Sequence, residues 1–267
     1  MKKIALLLLL LPFKNITYAQ DITGVLGAFP PELVLLQSKM ENKKDTVIAH
    51  IRFTKGILNG RSVVLAQTGI GKVNAAITTT LMIDHFKPRE IVFSGIAGGI
   101  DPELLPGDIV IGTQVTYHDY GTIQDDGMKY GPTRNPYTME ENPVIFNCDS
   151  ALVQKAIAVS TGLKFEKIKR ENGSFLPAIK KGVIVTGDVF VASGTATNRL
   201  RKDLNAAATE MEGAAIAQTC YQQKVPFLII RSLSDNANNK AKNDVQSFYQ
   251  IAAENAAIMV MAVVGVK

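Results

Sequence analysis

The sequence contains no tryptophan, two cysteines and three histidines in 267 residues. Cys148 and Cys220 are too few for the disulfide framework that holds small secreted domains together, although they leave a single disulfide open. The histidines, His50, His85 and His118, are scattered and lack the close spacing of a zinc or haem site. We therefore expect neither a metal nor another cofactor.

The chain also lacks an apolar run of the roughly 20 residues that a membrane-spanning helix requires. Its first apolar run, residues 4–11, follows Lys2 and Lys3 and precedes the small-residue sequence Thr17-Tyr-Ala19. This arrangement is typical of a secretory signal peptide over residues 1–19, and no cysteine follows the run as it would in a bacterial lipoprotein. We expect export to the periplasm or secretion; an uncleaved amphiphilic N-terminus is the alternative.

Without the predicted leader, the chain has no large excess of either charge. The formal net charge is +5, but three of the 29 basic residues lie in the leader, which has no acidic residue. Residues 20–267 therefore hold 26 basic against 24 acidic residues, which gives no support for nucleic-acid binding. Their length suits one domain with a large core. The apolar run at 258–266 is too short to span a membrane.

Strand-like and helix-like segments alternate along residues 20–267, which favours one α/β sandwich with a central mixed sheet. The predicted strands are residues 22–28, 46–53, 61–67, 90–94, 108–116, 182–186 and 227–230. The predicted helices are residues 32–40, 73–86, 150–161, 193–204, 213–221 and 244–264. Asn59-Gly60 is a strong hairpin signal. The polar residues 120–148 are predicted to form a long loop.

The stretch over residues 208–238 concentrates charged side chains around a predicted helix and a predicted strand. Two acids precede the helix. An arginine follows the apolar run 227–230, and residues 232–235 are predicted as a polar turn. Open α/β sheets bind ligands outside the carboxyl ends of their strands, so five side chains are candidates for one pocket: Glu210, Glu212, Arg231, Ser234 and Asp235. An ordinary helix-to-strand connection with charged, exposed ends is the competing interpretation.

Two glycine turns earlier in the chain add candidates. Gly27 ends the first predicted strand, and Glu32 lies in the first turn of the next helix, where an acid also complements the helix dipole. The sequence Thr68-Gly-Ile-Gly-Lys72 resembles a phosphate-binding loop only superficially. The P-loop spacing is absent, and no serine or threonine follows the lysine. We expect no nucleoside triphosphate there.

Five groups of residues occur in a fixed order: Gly27-Ala28 with Glu32; Thr68-Gly-Ile-Gly-Lys72; Ser94-Gly95 with Ala97-Gly98-Gly99; Gly187-Asp188 with Phe190; and Glu210-Met-Glu212 followed by Arg231 and Ser234-Asp235. This ordered set resembles the nucleoside phosphorylase superfamily, most closely its methylthioadenosine/S-adenosylhomocysteine nucleosidase branch. The resemblance covers nearly all of residues 20–267. It implies a three-layer α/β/α fold, usually as a homodimer, that binds a small-molecule adenine nucleoside and hydrolyses its N-glycosidic bond.

The same resemblance implies a role for each candidate. Asp235, oriented by Ser234, would be the general acid that protonates adenine at N7, and burial would raise its pKa. Glu32 would activate the attacking water, which Arg231 would help to hold. Met211 and Glu212 would bind the ribose hydroxyls. Phe190 would stack on the adenine ring, and Val191 would contact its edge. Ala28, Ile70 and Glu210 are further implied substrate contacts.

Two departures from the family pattern bear on the substrate. Ile96 stands where the family commonly has serine or threonine, so a hydroxyl near the sugar and the water is missing. An apolar residue at this position also occurs in superfamily members that act as plant storage proteins. Phe29 and Pro30-Pro31 replace a methionine and acidic residues near the ribose 5′ substituent. Residues 120–148 and Val245 would help to shape this end of the pocket. The sequence therefore leaves the preferred 5′ group open.

Two other functions stay open beside hydrolysis. Phosphorolysis needs cationic donors for phosphate, but Pro31 and Phe93 occupy positions where related hexameric phosphorylases have arginines, and Glu32 would repel phosphate. A non-catalytic, exported nucleoside-binding or storage protein is favoured by the leader and by Ile96. The retained acids Glu32, Glu212 and Asp235 argue against it, because binding alone gains little from them. Hydrolysis is therefore the predicted function.

Overall fold

The computed structural model describes residues 20–170 and 173–266, so the predicted signal peptide lies outside the described residues. Within these ranges the strands are β1 (Gln20–Gly27), β2 (Glu41–Ile48), β3 (Ile51–Leu58), β4 (Arg61–Gln67), β5 (Pro88–Gly99), β6 (Ile109–Tyr117), β7 (Gly121–Gln124), β8 (Gly127–Tyr130), β9 (Ile145–Asn147), β10 (Ile168–Arg170), β11 (Gly173–Phe175), β12 (Ile179–Thr186), β13 (Ala206–Glu210) and β14 (Phe227–Asp235). The helices are α1 (Pro30–Lys39), α2 (Lys72–Phe86), α3 (Ser150–Ser160), α4 (Gly194–Leu204), α5 (Gly213–Gln223) and α6 (Ala241–Gly265).

One large sheet runs through the molecule. Nine strands lie in the order β13-β12-β6-β14-β5-β1-β4-β3-β2, and β9 joins them by pairing with β6. Parallel and antiparallel pairs are mixed, since β14 is parallel to β5 and antiparallel to β6. Ala208 and Thr209 of β13 also pair with Gly99 and Gly98 of β5, so that five strands close on themselves. The predicted mixed sheet is confirmed, but the sequence did not anticipate this closure.

Helices cover both faces of the sheet, which confirms the predicted sandwich. α1, α3 and α6 pack together on one face, α2 and α5 pack against each other on the other, and α4 lies beside β12 and β13. By length and composition alone, α6 could cross a membrane. However, ten of its residues are buried, and it packs against α1, α3, β5 and β14, as the core helix of a globular domain does.

Two predictions about local structure are wrong. Residues 46–53 do not form one strand, because Ala49 and His50 adopt left-handed φ angles of 48° and 64° and fold β3 back antiparallel onto β2. The predicted loop at 120–148 contains the β7–β8 hairpin and the strand β9. By contrast, Asn59-Gly60 forms the predicted turn, with φ angles of 48° and 75°, between β3 and β4.

The strand predicted at 227–230 is confirmed but is longer than expected. β14 continues through the residues predicted as a polar turn, and every residue from Phe227 to Asp235 is buried. Arg231, Ser234 and Asp235 therefore belong to a central strand of the sheet. The competing interpretation of this stretch, in which the charged residues mark exposed ends, is wrong.

The two cysteines are buried as free thiols. Burial raises the pKa of the Cys148 thiol to about 12 and also raises the pKa of the Cys220 thiol. Because the thiolate is the form that reacts, both side chains behave as small apolar core residues.

Candidate active site

A cavity of about 200 Å³ opens at the carboxyl ends of β1, β5, β13 and β14. Nine of the eleven predicted site residues line it: Ala28, Glu32, Ile70, Phe190, Glu210, Met211, Glu212, Ser234 and Asp235. The other two lie outside the lining. Arg231 is fully buried behind the acids, and Val191 follows Phe190 in the chain. The lining is completed by Phe29, Ile96, Ala97, Gly98, Thr209 and Val245.

Arg231 lies at the centre of three buried carboxylates. Its guanidinium bonds Glu210 and lies 3.3 Å from a Glu212 oxygen and 3.6 Å from a Glu32 oxygen. Its Cζ atom lies 3.8 Å from the centre of the Phe93 ring. One cation cannot neutralise three acids, and like charges in a buried site repel one another. The cluster therefore favours a proton on at least one of its acids.

Glu32 is fixed by backbone N–H groups from the turn before α1 and from β5. Ala28 N–H (2.5 Å) and Phe29 N–H (3.4 Å) donate to its Oε2 across the start of α1, and Ile96 N–H donates to its Oε1 (2.8 Å). Burial raises the pKa of Glu32, while Arg231 and these N–H groups oppose the rise. Because Ile96 uses only its backbone here, the departure from serine or threonine does not displace Glu32.

Gly95 on β5 makes the room in which this acid and the arginine meet. A Cβ atom at Gly95 would lie 1.8 Å from Arg231 Nη1 and 2.4 Å from Glu32 Oε1. Only glycine allows so close an approach of side chains to the backbone. Gly95, from the third of the five ordered groups, thus makes room for two of the catalytic candidates.

Asp235 ends β14 with both carboxylate oxygens hydrogen-bonded. The Ser234 hydroxyl donates to Oδ2 (2.8 Å), and Ala237 N–H donates to Oδ1 (2.7 Å). Burial raises the pKa of Asp235, and the nearby Asp244 adds to the rise, while the two hydrogen bonds oppose it. A carboxyl group that keeps its proton to a higher pH than usual suits a general acid. This geometry agrees with the roles predicted for Ser234 and Asp235.

Glu210 and Glu212 differ in how many hydrogen bonds they accept from other groups of the protein. Glu210 accepts hydrogen bonds from the arginine, from Thr186 Oγ1 and from the N–H groups of Glu212 (3.1 Å) and Gly213 (2.8 Å) at the start of α5. Glu212 accepts from Gly71 N–H (2.9 Å) and lies 3.3 Å from the arginine. Glu212 is therefore the better placed of the two to accept a ligand hydroxyl, and a substrate contact at Glu210 stays a prediction.

The pKa of Glu212 makes the stability of the fold depend on pH. Burial first, and then the charge of Glu210, raise this pKa from 4.5 to about 8. The resulting stabilisation is fully present below the unfolded pKa of 4.5 and is lost as the pH rises through about 8, because only the folded state retains the proton in between. We expect the wild-type melting temperature to fall by on the order of 5 °C from about pH 6 to about pH 9. Glu212→Gln should reduce this fall.

Differential scanning fluorimetry across this pH range measures the slope for each variant. Glu103→Gln is the matched control, because Glu103 is exposed and pairs with Lys180 at the surface. Its slope should equal that of the wild type. If Glu212→Gln keeps the full wild-type slope, another group is responsible for the pH dependence.

Three residues of the site were not predicted to belong to it, although Phe93 served as an argument against phosphorolysis. Phe93 stacks on the arginine, Thr209 lines the cavity, and Thr186 donates to Glu210 and accepts from Ala214 N–H (2.8 Å). Each lies on a buried strand, and phenylalanine and threonine are both common residue types in strands. No local signal in the sequence distinguishes them.

The family model of the phosphorylase superfamily matches residues 22–265 of this chain. The chain is also similar to a curated protein, the 5′-methylthioadenosine/S-adenosylhomocysteine nucleosidase of Psychromonas ingrahamii. The two are 40% identical over 245 residues, which cover 90% of this chain and 97% of that protein.

Solved structures have the same fold over nearly the whole chain. The 5′-methylthioadenosine/S-adenosylhomocysteine nucleosidase of Neisseria meningitidis, in complex with methylthio-immucillin-A, matches with a TM-score of 0.79 and 36% identity, covering 92% of this chain and 99% of its own. The futalosine hydrolase of Helicobacter pylori matches with a TM-score of 0.78 and 28% identity, covering 91% of this chain and 97% of its own. The resemblance predicted from the five ordered groups is confirmed.

Proposed function

The chain belongs to the phosphorylase superfamily, and we propose that it is a nucleosidase that hydrolyses the N-glycosidic bond of 5′-methylthioadenosine, S-adenosylhomocysteine or a related adenine nucleoside. The observation that carries this proposal is the pairing of two buried acids, Glu32 and Asp235, on the walls of one cavity. The similarity to named nucleosidases over about nine-tenths of the chain supports it.

The proposed reaction uses one acid and one base. Asp235 gives its proton to N7 of adenine, the electrons of the C1′–N9 bond leave with the base, and C1′ develops oxocarbenium character. A water oxygen then bonds to C1′, and the water proton passes to Glu32. The products are adenine and the free 5′-modified ribose.

The two acids need opposite starting states. Asp235 must start protonated, and burial raises its pKa. Glu32 must start ionised; burial raises its pKa as well, but Arg231, 3.6 Å away, and three backbone N–H groups favour its charged form. Glu212 and Met211 also line the cavity. Glu212 and the Met211 backbone would hold the ribose hydroxyls.

The charge of the cavity favours water over phosphate as the attacking group. Three of its lining residues are the glutamates Glu32, Glu210 and Glu212, which surround the guanidinium of Arg231. A phosphate dianion would have to approach these carboxylates without a free cation among the lining residues. Hydrolysis therefore fits the site better than phosphorolysis.

The test is adenine release from 5′-methylthioadenosine by the purified protein, with and without phosphate. We expect adenine and free methylthioribose at a rate that added phosphate does not change. Product that forms only with phosphate, as a ribose 1-phosphate, would establish a phosphorylase. Saturable binding without turnover would establish a non-catalytic nucleoside-binding protein.

The 5′ end of the substrate is proposed to be apolar. Phe29, Ile70, Ile96 and Val245 line the cavity and offer no charged group to a 5′ substituent. The ratio of kcat/KM for methylthioadenosine to that for adenosine measures this preference, and a ratio near one would contradict it. Futalosine belongs in the same assay, since a structural relative is named for its hydrolysis.

We also propose that the protein acts as a homodimer. Val73 and Ile77 of α2 and Tyr221 of α5 are exposed by 69%, 48% and 50% on neighbouring helices. Exposed large apolar side chains on two helices that pack together favour a protein interface there. Light scattering of the purified protein should give twice the mass of one chain, and a single-chain mass would contradict the proposal.

Export is proposed from the leader sequence alone. Residues 1–19 have the three parts of a signal peptide, and the family match begins after them, at residue 22. The intact mass of the protein from a periplasmic or secreted fraction should correspond to cleavage after Ala19. Recovery only from the cytoplasm with the leader intact would contradict it.

A further inference from the structure

We propose that Lys72, Asp119 and Asp188 form a loop clamp that fixes the two outer walls of the cavity, Ile70 and Phe190, at the separation that an adenine nucleoside requires. The three residues are positioning residues, since none of them lines the cavity. This inference rests on the proposed function and concerns the same site.

The loop clamp joins the ends of three elements through one carboxylate. Asp119, after β6, accepts Lys72 Nζ at 2.7 Å on both oxygens and Asp188 N–H at 2.8 Å. Asp188, after β12, in turn accepts Lys72 N–H at 2.8 Å on its Oδ1, and its Oδ2 lies 3.7 Å from Lys72 Nζ. The start of α2 is therefore held to the β12 turn both directly and through Asp119.

Two residues of the loop clamp, Lys72 and Asp188, each lie two positions in sequence from a wall residue of the cavity. Ile70 precedes Lys72 by two residues, and Phe190 follows Asp188 by two. Both wall residues line the cavity while remaining 57% and 48% exposed. Such half-exposed side chains have few core contacts of their own, so the backbone on either side sets their position.

The tight turn at Gly71 also connects the loop clamp to Glu212 of the site. Gly71, between Ile70 and Lys72, donates its N–H to Glu212 at 2.9 Å. Its φ angle is 97°, and a Cβ atom there would lie 3.2 Å from Asp188 Oδ1. Consecutive N–H groups of this turn thus hold a site acid and a clamp acid. A shift of the clamp would move the outer wall and disturb the hydrogen bond to Glu212.

A surface ion pair without a role in the site is the alternative explanation. The side chains of Lys72, Asp119 and Asp188 are 21%, 23% and 47% exposed, and exposed pairs of this kind add little to stability. A structural role would change the melting temperature and leave substrate affinity alone. A positioning role would weaken binding of the adenine part in the ground state and in the transition state alike, which raises KM while kcat stays nearly constant.

The experiment compares Lys72→Met, Asp119→Asn and the double variant in the full-length mature protein. We expect each single variant to raise KM for methylthioadenosine, and Kd for adenine by calorimetry, by about tenfold, with kcat within about threefold of wild type. The double variant should be no worse than the single variants, because they break the same contact. Lys72→Arg, which keeps the charge and the donors, should recover most of the affinity.

The matched control is Lys180→Met, which breaks another surface pair, with Asp101 and Glu103, outside the cavity lining. Its KM and adenine Kd should equal those of the wild type. The clamp alone would be overturned if the wild type cleaves the nucleoside and the clamp variants keep the wild-type KM and Kd. It would also be overturned if Lys180→Met changes KM and Kd as much as the clamp variants do. A wild-type protein that neither cleaves nor binds the nucleoside would overturn the proposed function and the clamp with it.

Discussion

Replacing Asp235 with asparagine is expected to lower kcat for adenine release by about 10²–10⁴-fold, the usual contribution of a general acid. Asparagine has nearly the same shape, and its amide oxygen can still accept the Ala237 N–H that Asp235 accepts now. The variant should therefore bind substrate with a KM within about threefold of wild type. What it lacks is a proton to give to N7. Initial rates of adenine release for the two proteins measure the effect.

The choice of leaving group separates this role from a general loss of structure. A riboside with a nitrophenolate leaving group needs no protonation, so Asp235→Asn should cleave it nearly as fast as the wild type does. Asp84→Asn is the control, since Asp84 is exposed near the end of α2, and its rates should be those of the wild type. Equal loss on both substrates in Asp235→Asn would mean that Asp235 does not act as the acid.

The acids of the site could be predicted because they follow regular elements. Glu32 stands in the first turn of a helix that begins with a proline pair shortly after a strand, and Asp235 follows an apolar run. The carboxyl ends of neighbouring strands meet at one edge of a sheet, so the chain order alone brings such residues together. Nine of the eleven predicted residues line one cavity. Chain order points to the acids among them, whereas Ala28, Ile70, Phe190 and Met211 were predicted from the resemblance to the family.

The environment of Arg231 could not be predicted from its neighbours in sequence. Residues 232–235 alternate serine with leucine and an acid, a pattern typical of an exposed turn, yet they are buried in β14. The hydroxyls of Ser232 and Ser234 reach carbonyls more than one hundred residues away, those of Gly107 at 3.2 Å and Ala97 at 3.4 Å. Local pattern carries no information about such long-range partners, so the strand was predicted too short.

The wrong strand at 46–53 has a different physical cause. Its β-branched and aromatic residues favour extended structure throughout, but the chain reverses at Ala49-His50 with two left-handed residues. Glycine or asparagine usually marks such a turn, as it does at Asn59-Gly60. Neither is present at Ala49-His50, where pairing of β2 with β3 outweighs the local preference.

Replacing Arg231 with methionine is expected to lower the free energy of unfolding by about 3–5 kcal/mol, the usual cost of removing one partner from a buried ionic cluster. Methionine fills much of the same volume, but it leaves Glu32, Glu210 and Glu212 buried together without a cation. A chain of this length should then melt roughly 10 °C below the wild type. Urea unfolding followed by circular dichroism measures the change. Arg134→Met removes an exposed arginine paired with Glu141, and it should cost less than about 1 kcal/mol.

Two further measurements connect this stability to the chemistry of the site. The Arg231→Met protein should lose less stability at about pH 5 than at about pH 8, because its buried carboxylates can then take up protons instead of repelling one another. Adding Glu210→Gln should restore part of the loss, since it removes one of the buried acids left without a cation and keeps the acceptor for Thr186 Oγ1 and Gly213 N–H. If Arg231→Met costs no more than Arg134→Met at every pH, the arginine does not hold the acids together. If the cost appears as predicted, the cation that stabilises the fold is also the charge that favours the ionised form of Glu32 against the burial that raises its pKa.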